Sequence, residues 1–139
     1  MIKSLQMGKS YKTEVTIMNT DNKILVCDDS ILARKSLSGI LASFGYKNIH
    51  EVNNGEDAVN YCKENKPELI FLDIVMPIKD GVTATTEIMQ DNPDSKIIIV
   101  SSVGTQTHIK EAIKAGAKDF IQKPLDEQLL KQVLENIDG

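Results

Sequence analysis

From Asp21 onward, short apolar runs alternate with segments of helical periodicity, and that alternation constrains the fold more than any other feature of the chain. The runs are KILVC (23–27), NIHEV (48–52), ELIFL (68–72), KIIIV (96–100) and KDFIQ (118–122). Ser30 is placed to cap the first helix, whose apolar residues Ile31, Leu32, Leu37, Ile40, Leu41 and Phe44 are expected to form one stripe ending at Gly45. Further helices are predicted over about 56–65 with Ala58, Val59 and Cys62 inward, 82–90, 107–115 with Ile109, Ala112 and Ile113 on one face, and 126–136 carrying Leu129, Leu130, Val133 and Leu134. Strands that are apolar on both faces imply a parallel sheet covered by helices on each side. With right-handed crossovers, five such units favour a doubly wound α/β fold with strand order 2-1-3-4-5.

The chain's 139 residues suit one compact domain, and 41% hydrophobic with 26% charged residues is an ordinary globular composition. A net charge of -4 provides no basic field for a phosphate backbone, so protein partners are expected and nucleic acid is not. Cys27 and Cys62 match neither a metal-ligand pattern nor a disulfide framework. No apolar run approaches a membrane span or the core of a signal peptide, so no membrane partner and a cytoplasmic location are expected. Residues 1–20 lack helical periodicity and read as an N-terminal extension without fixed structure or, through the alternation in TEVTI, as an added edge strand.

In a sheet of this order, ligands bind beyond the carboxyl ends of the strands. Strand one runs into Asp28 and Asp29, strand three into Asp73, strand four into Ser101 and Ser102, and strand five into Lys123 and Pro124. Each group has a bland reading: Asp28, Asp29 and Ser30 as helix N-terminal residues, Ser101 as a loop serine, Lys123 as a solvated lysine. Asp73 resists one, because a carboxylate closing an apolar strand must be paired or ligated. Independent bland readings would also scatter these groups, whereas all fall at one edge. Three carboxylates in one pocket repel one another, and a hard divalent ion such as Mg2+ relieves this with oxygen ligands. The chemistry that fits is phosphoryl transfer onto Asp73, with Mg2+ and Lys123 neutralising phosphoryl oxygens and the Ser101 hydroxyl binding another. Val75 offers a metal only its backbone carbonyl, and Val75 and Val103 are expected to shield an acyl phosphate.

The segments ILVCDDS, LIFLDIVMPIKDG, IIIVSS and AGAKDFIQKPL resemble the receiver domain of bacterial two-component response regulators over residues 21–139. SSVGTQ followed by AIKAGAKDFIQKP is most similar to single-domain chemotaxis regulators of the CheY type. Those regulators themselves have the flavodoxin-like order 2-1-3-4-5, so topology and resemblance form one expectation. The resemblance implies Asp73 as phosphoacceptor, Asp28 and Asp29 as Mg2+ ligands, Ser101 and Phe120 as a coupled switch, Lys123 as a phosphate contact and a cis peptide before Pro124. It implies a monomeric signalling protein rather than an enzyme, assisting only its own phosphorylation and dephosphorylation. A chemotaxis-type sensor histidine kinase would donate the phosphoryl group. An effector such as a flagellar motor switch would read helix four, strand five and helix five. The alternative role is a phosphate sink or relay outside chemotaxis.

Other classes fit less well. A phosphatase of the haloacid dehalogenase type needs a second aspartate at position 75, where valine stands. An electron carrier of flavodoxin type needs a Ser/Thr-rich phosphate loop where this chain has DDS, and no GxxxxGK loop supports a nucleotide hydrolase. A receiver acting by contact alone would lack the acidic pocket.

Overall fold

The computed structural model describes residues 19–102 and 104–138. Elements alternate as β1 (Lys23–Cys27), α1 (Ile31–Ser43), β2 (Asn48–Val52), α2 (Gly55–Asn65), β3 (Leu69–Leu72), α3 (Gly81–Asp91), β4 (Lys96–Ser101), α4 (Gln106–Ala115), β5 (Asp119–Gln122) and α5 (Glu127–Asp138). The strands form one parallel sheet in the order β2-β1-β3-β4-β5, as the alternation predicts. The proposed extension lies, up to residue 18, outside the described residues.

Apolar composition explains which strands sit centrally. Every residue of β3 is buried, and burying such side chains contributes roughly 1.5–3 kcal/mol each. The edge strand β2 is half-buried and carries Asn48 and His50 in solvent. Two apolar clusters pack on the sheet's two faces. One contains Ala58, Cys62, Ala84, Ile88 and Ala112 of α2, α3 and α4; the other contains Leu37, Leu41, Leu130, Val133 and Leu134 of α1 and α5.

Local chemistry starts the helices. Ser30, Asn54, Asp80 and Thr105 each accept a backbone N–H three residues on, satisfying a donor that the first turn leaves unpaired. Asp126 plays a similar part for α5, its Oδ1 accepting the Gln128 N–H at 2.9 Å and the Leu129 N–H at 3.4 Å. The expected stripe on α1 is corrected in its first turn: Ile31 and Leu32 are 64% and 84% exposed. At 3.6 residues per turn they lie about 120° and 140° around the helix from Leu37, whereas Ile40, Leu41 and Phe44 lie within about 60° of it. Only that second group faces the sheet.

Candidate functional site

Asp28, Asp29 and Asp73 reach one another at the carboxyl edge because β1 and β3 are neighbours, with Cys27 in register with Leu72. The Asp73 N–H donates to the Cys27 carbonyl at 3.1 Å, and the Asp28 N–H to the Val52 carbonyl at 3.3 Å, so backbone bonds carry the sheet's order into the site. One carboxylate oxygen from each of the three aspartates lies within 4.8 Å of the others. Asp28 and Asp73 are buried, and Asp29 is exposed.

Lys123, directly after β5, reaches back over this cluster. Its Nζ donates to Asp28 Oδ2 at 2.6 Å and to Asp73 Oδ2 at 3.2 Å. Burial works against its charge, but the hydrogen bond to Asp28 and the negative fields of Asp73 and Asp28 outweigh that and hold the ammonium above the usual lysine range. Asp28 Oδ1 accepts the Ser30 N–H at 2.9 Å, so both of its oxygens are engaged. Asp73 Oδ1 is buried with no hydrogen-bond partner among the described residues. A buried carboxylate oxygen without a donor is costly, which points to a ligand. Three carboxylates facing one lysine, all hard oxygen donors with one oxygen unpaired, fit Mg2+.

Ser101 is the last residue of β4 and is fully buried; its carbonyl accepts the Lys123 N–H at 2.9 Å. Phe120 on β5 is half-buried against the cluster that α2, α3 and α4 cover. The Lys123–Pro124 peptide is cis. Val75 lies in the β3–α3 loop and is 59% exposed, and Val103 is outside the described residues. Beside the aspartates, a cleft of about 430 Å3 runs between α1 and the β5–α5 connection, lined by Ala33, Leu37, Phe71, Val100 and Leu125.

Two supporting residues left no mark in the sequence. Arg34 donates from Nη1 to the Asp28 carbonyl at 2.8 Å and from Nε to Glu51 at 3.0 Å, fixing the acidic turn from α1. Burial alone would raise the Glu51 pKa, but the hydrogen bonds and positive charge of Lys35 and Arg34 hold it below the usual carboxylate range. Lys79 pairs with Glu56 and Glu87 beside the β3–α3 loop. Their partners are far away in sequence, or on another element, so no short motif announces either.

These features define a receiver: residues 24–135 match the response regulator receiver domain, and the chain belongs to that family, the receiver class of two-component systems. It is 41% identical over 115 residues to the chemotaxis protein CheY of Thermotoga maritima, covering 83% of this chain and 96% of that one. To the CheY of Bacillus subtilis it is 43% identical over 103 residues, covering 74% of this chain and 86% of that one. Its fold is similar to CheY in the CheX–CheY–BeF3–Mg2+ complex from Borrelia burgdorferi, with a TM-score of 0.80 and 32% identity over 85% of this chain and 90% of that one. Among the described residues, no helix is long and apolar enough to cross a membrane.

Proposed function

We propose that the chain is a phosphorylation-switched signalling protein that accepts a phosphoryl group on Asp73 from a histidine kinase. The observation that carries this reading is Asp73 itself: a buried carboxylate with one oxygen on Lys123 and the other unpaired, beside two more aspartates. A carboxylate oxygen of Asp73 attacks phosphorus in line; the new P–O bond forms as the P–N bond of the donor phosphohistidine breaks, and the imidazole leaves with the electron pair. Asp29 and Asp73 would hold Mg2+, with the Val75 carbonyl as a further ligand and Asp28 behind them, its oxygens already committed to Ser30 and Lys123. When bound, the ion neutralises phosphoryl oxygens.

Lys123 then transfers its pairing from the Asp73 carboxylate to a phosphoryl oxygen, and the Ser101 hydroxyl binds another. Movement of Ser101 is coupled to an inward turn of Phe120, which alters the face made by α4, β5 and α5. An effector reads that face. The chain promotes only its own phosphorylation and dephosphorylation. Chemotaxis is the favoured pathway, supported by CheY relatives matched over most of their own lengths. Asp73→Asn should abolish labelling by acetyl phosphate with Mg2+ present; undiminished labelling of that variant would overturn the assignment.

A further inference from the structure

The β3–α3 loop is pinned at several points, and one of them is a side chain that the proposed chemistry does not use. Lys79 Nζ lies 2.6 Å from Glu87 Oε1 on α3 and 3.0 Å from Glu56 Oε1 in the first turn of α2. Its backbone is fixed as well: its N–H donates to the Pro77 carbonyl at 2.7 Å, and its own carbonyl sits where a Cβ on Gly55 would come within 2.1 Å. Ile78, immediately before it, has φ 70, an uncommon conformation for a β-branched residue. Upstream, Met76 Sδ meets Cys27 Sγ at 3.3 Å. Exposed lysine–glutamate pairs contribute little in general. Lys79 differs in gripping two helices at once: its side chain is 18% exposed, while Glu56 and Glu87 at its tip are 48% and 39% exposed, so its contribution is one of position rather than of a buried ion pair.

We propose that Lys79 is a positioning residue that clamps the β3–α3 loop between α2 and α3, and so sets the cation preference of the acidic site. The proposal rests on the reading above that Asp29, Asp73 and the Val75 carbonyl hold Mg2+. Mg2+ demands near-ideal octahedral geometry with short bonds, whereas Ca2+ accepts longer and more variable ones. A loosened loop therefore costs Mg2+ more than Ca2+. Charge acts in the opposite direction: removing a nearby ammonium should tighten both cations, so a loss of Mg2+ affinity in a lysine variant reports position rather than field.

The test is calorimetric titration of the whole chain with MgCl2 and with CaCl2, which needs no phosphoryl transfer. Lys79→Met should weaken Mg2+ binding by about tenfold, the size typical when a residue supporting metal ligands is lost, and Ca2+ binding by clearly less. Lys79→Arg should recover most of the loss. The pair Glu56→Gln and Glu87→Gln, which keeps the lysine, should show the same selective loss and covers a Lys79→Met protein that fails to fold. Unchanged or tighter Mg2+ binding in Lys79→Met, or equal losses for both ions, would overturn the proposal. No Mg2+ binding by the unsubstituted protein would instead overturn the metal reading beneath it.

Discussion

Under α2, α3 and α4, the helices meet the sheet through fully buried alanines, Ala58, Ala84 and Ala112; under α1 and α5 they meet it through Leu37, Leu41, Leu130 and Leu134. Small residues bring helix backbones close to the sheet, and on that face the loops are correspondingly tight. A Cβ on Gly81 would come within 2.0 Å of the Asp73 carbonyl oxygen, and one on Gly55 within 2.1 Å of that of Lys79. The leucine face leaves the cleft of about 430 Å3 beside Asp28, Asp73 and Lys123. The difference shows how one sheet edge serves two needs. The alanine face holds the loop that presents Asp73 and Val75, while the cleft on the leucine face opens directly beside Asp28, Asp73 and Lys123, with room for an incoming group.

The largest expected break in this comparison comes from glycine. Gly81→Ala should destabilise the fold by about 3 kcal/mol, because backbone rather than a flexible side chain stands in the way. Gly39→Ala in α1, with nothing within 4 Å, should instead stabilise by about 0.5–1 kcal/mol. Urea denaturation of both variants checks the contrast between a glycine against backbone and an exposed one, and a small effect of Gly81→Ala would mean that the β3–α3 loop yields to an added methyl.

Alkaline pH sharpens it further, since both thiols are buried in the alanine face. Burial pushes the Cys62 thiol up to about 12 from an ordinary 9.0. Burial also raises Cys27, with the charges of Asp28 and Asp73 adding to the effect. An acid raised in the folded state leaves stability intact below its unfolded value and erodes it above. Stability should therefore hold up to about pH 9 and fall beyond it, and Cys27→Ala with Cys62→Ala should flatten part of that fall in urea midpoints measured across the range. The smallest effect is expected at Leu32. Leu32→Ser should stay within about 0.5 kcal/mol of the parent in the same assay, because the side chain is 84% exposed.

How much of this was legible in the sequence depended on range. Strands β1 and β2 fall at their predicted residues, and β3, β4 and β5 differ by one residue at an end, because apolar runs bounded by polar residues are local signals. The convergence of Asp28, Asp29, Asp73 and Lys123 followed from strand order, since each stands directly after a strand. The α1 stripe was overextended because Ile31 and Leu32 share apolar character with Leu37 without sharing its angular position. The grip of Lys79 on Glu56 and Glu87, and of Arg34 on Glu51 and the Asp28 carbonyl, depends on how loops and helices meet in space. No periodicity encodes such meetings. The need for glycine at positions 55 and 81 is likewise set by backbone carbonyls that face them from Lys79 and Asp73, which no local pattern announces.

The account's central claim is that Asp73 receives the phosphoryl group, while Asp29 joins it in holding the cation and Asp28 stands behind them. The most direct measurement is borohydride reduction of the chain after treatment with acetyl phosphate and Mg2+, which converts an aspartyl phosphate to homoserine, followed by peptide mass mapping. Homoserine at position 73, dependent on Mg2+, is the predicted result. Homoserine at position 28 or 29, or none at any aspartate, would contradict it.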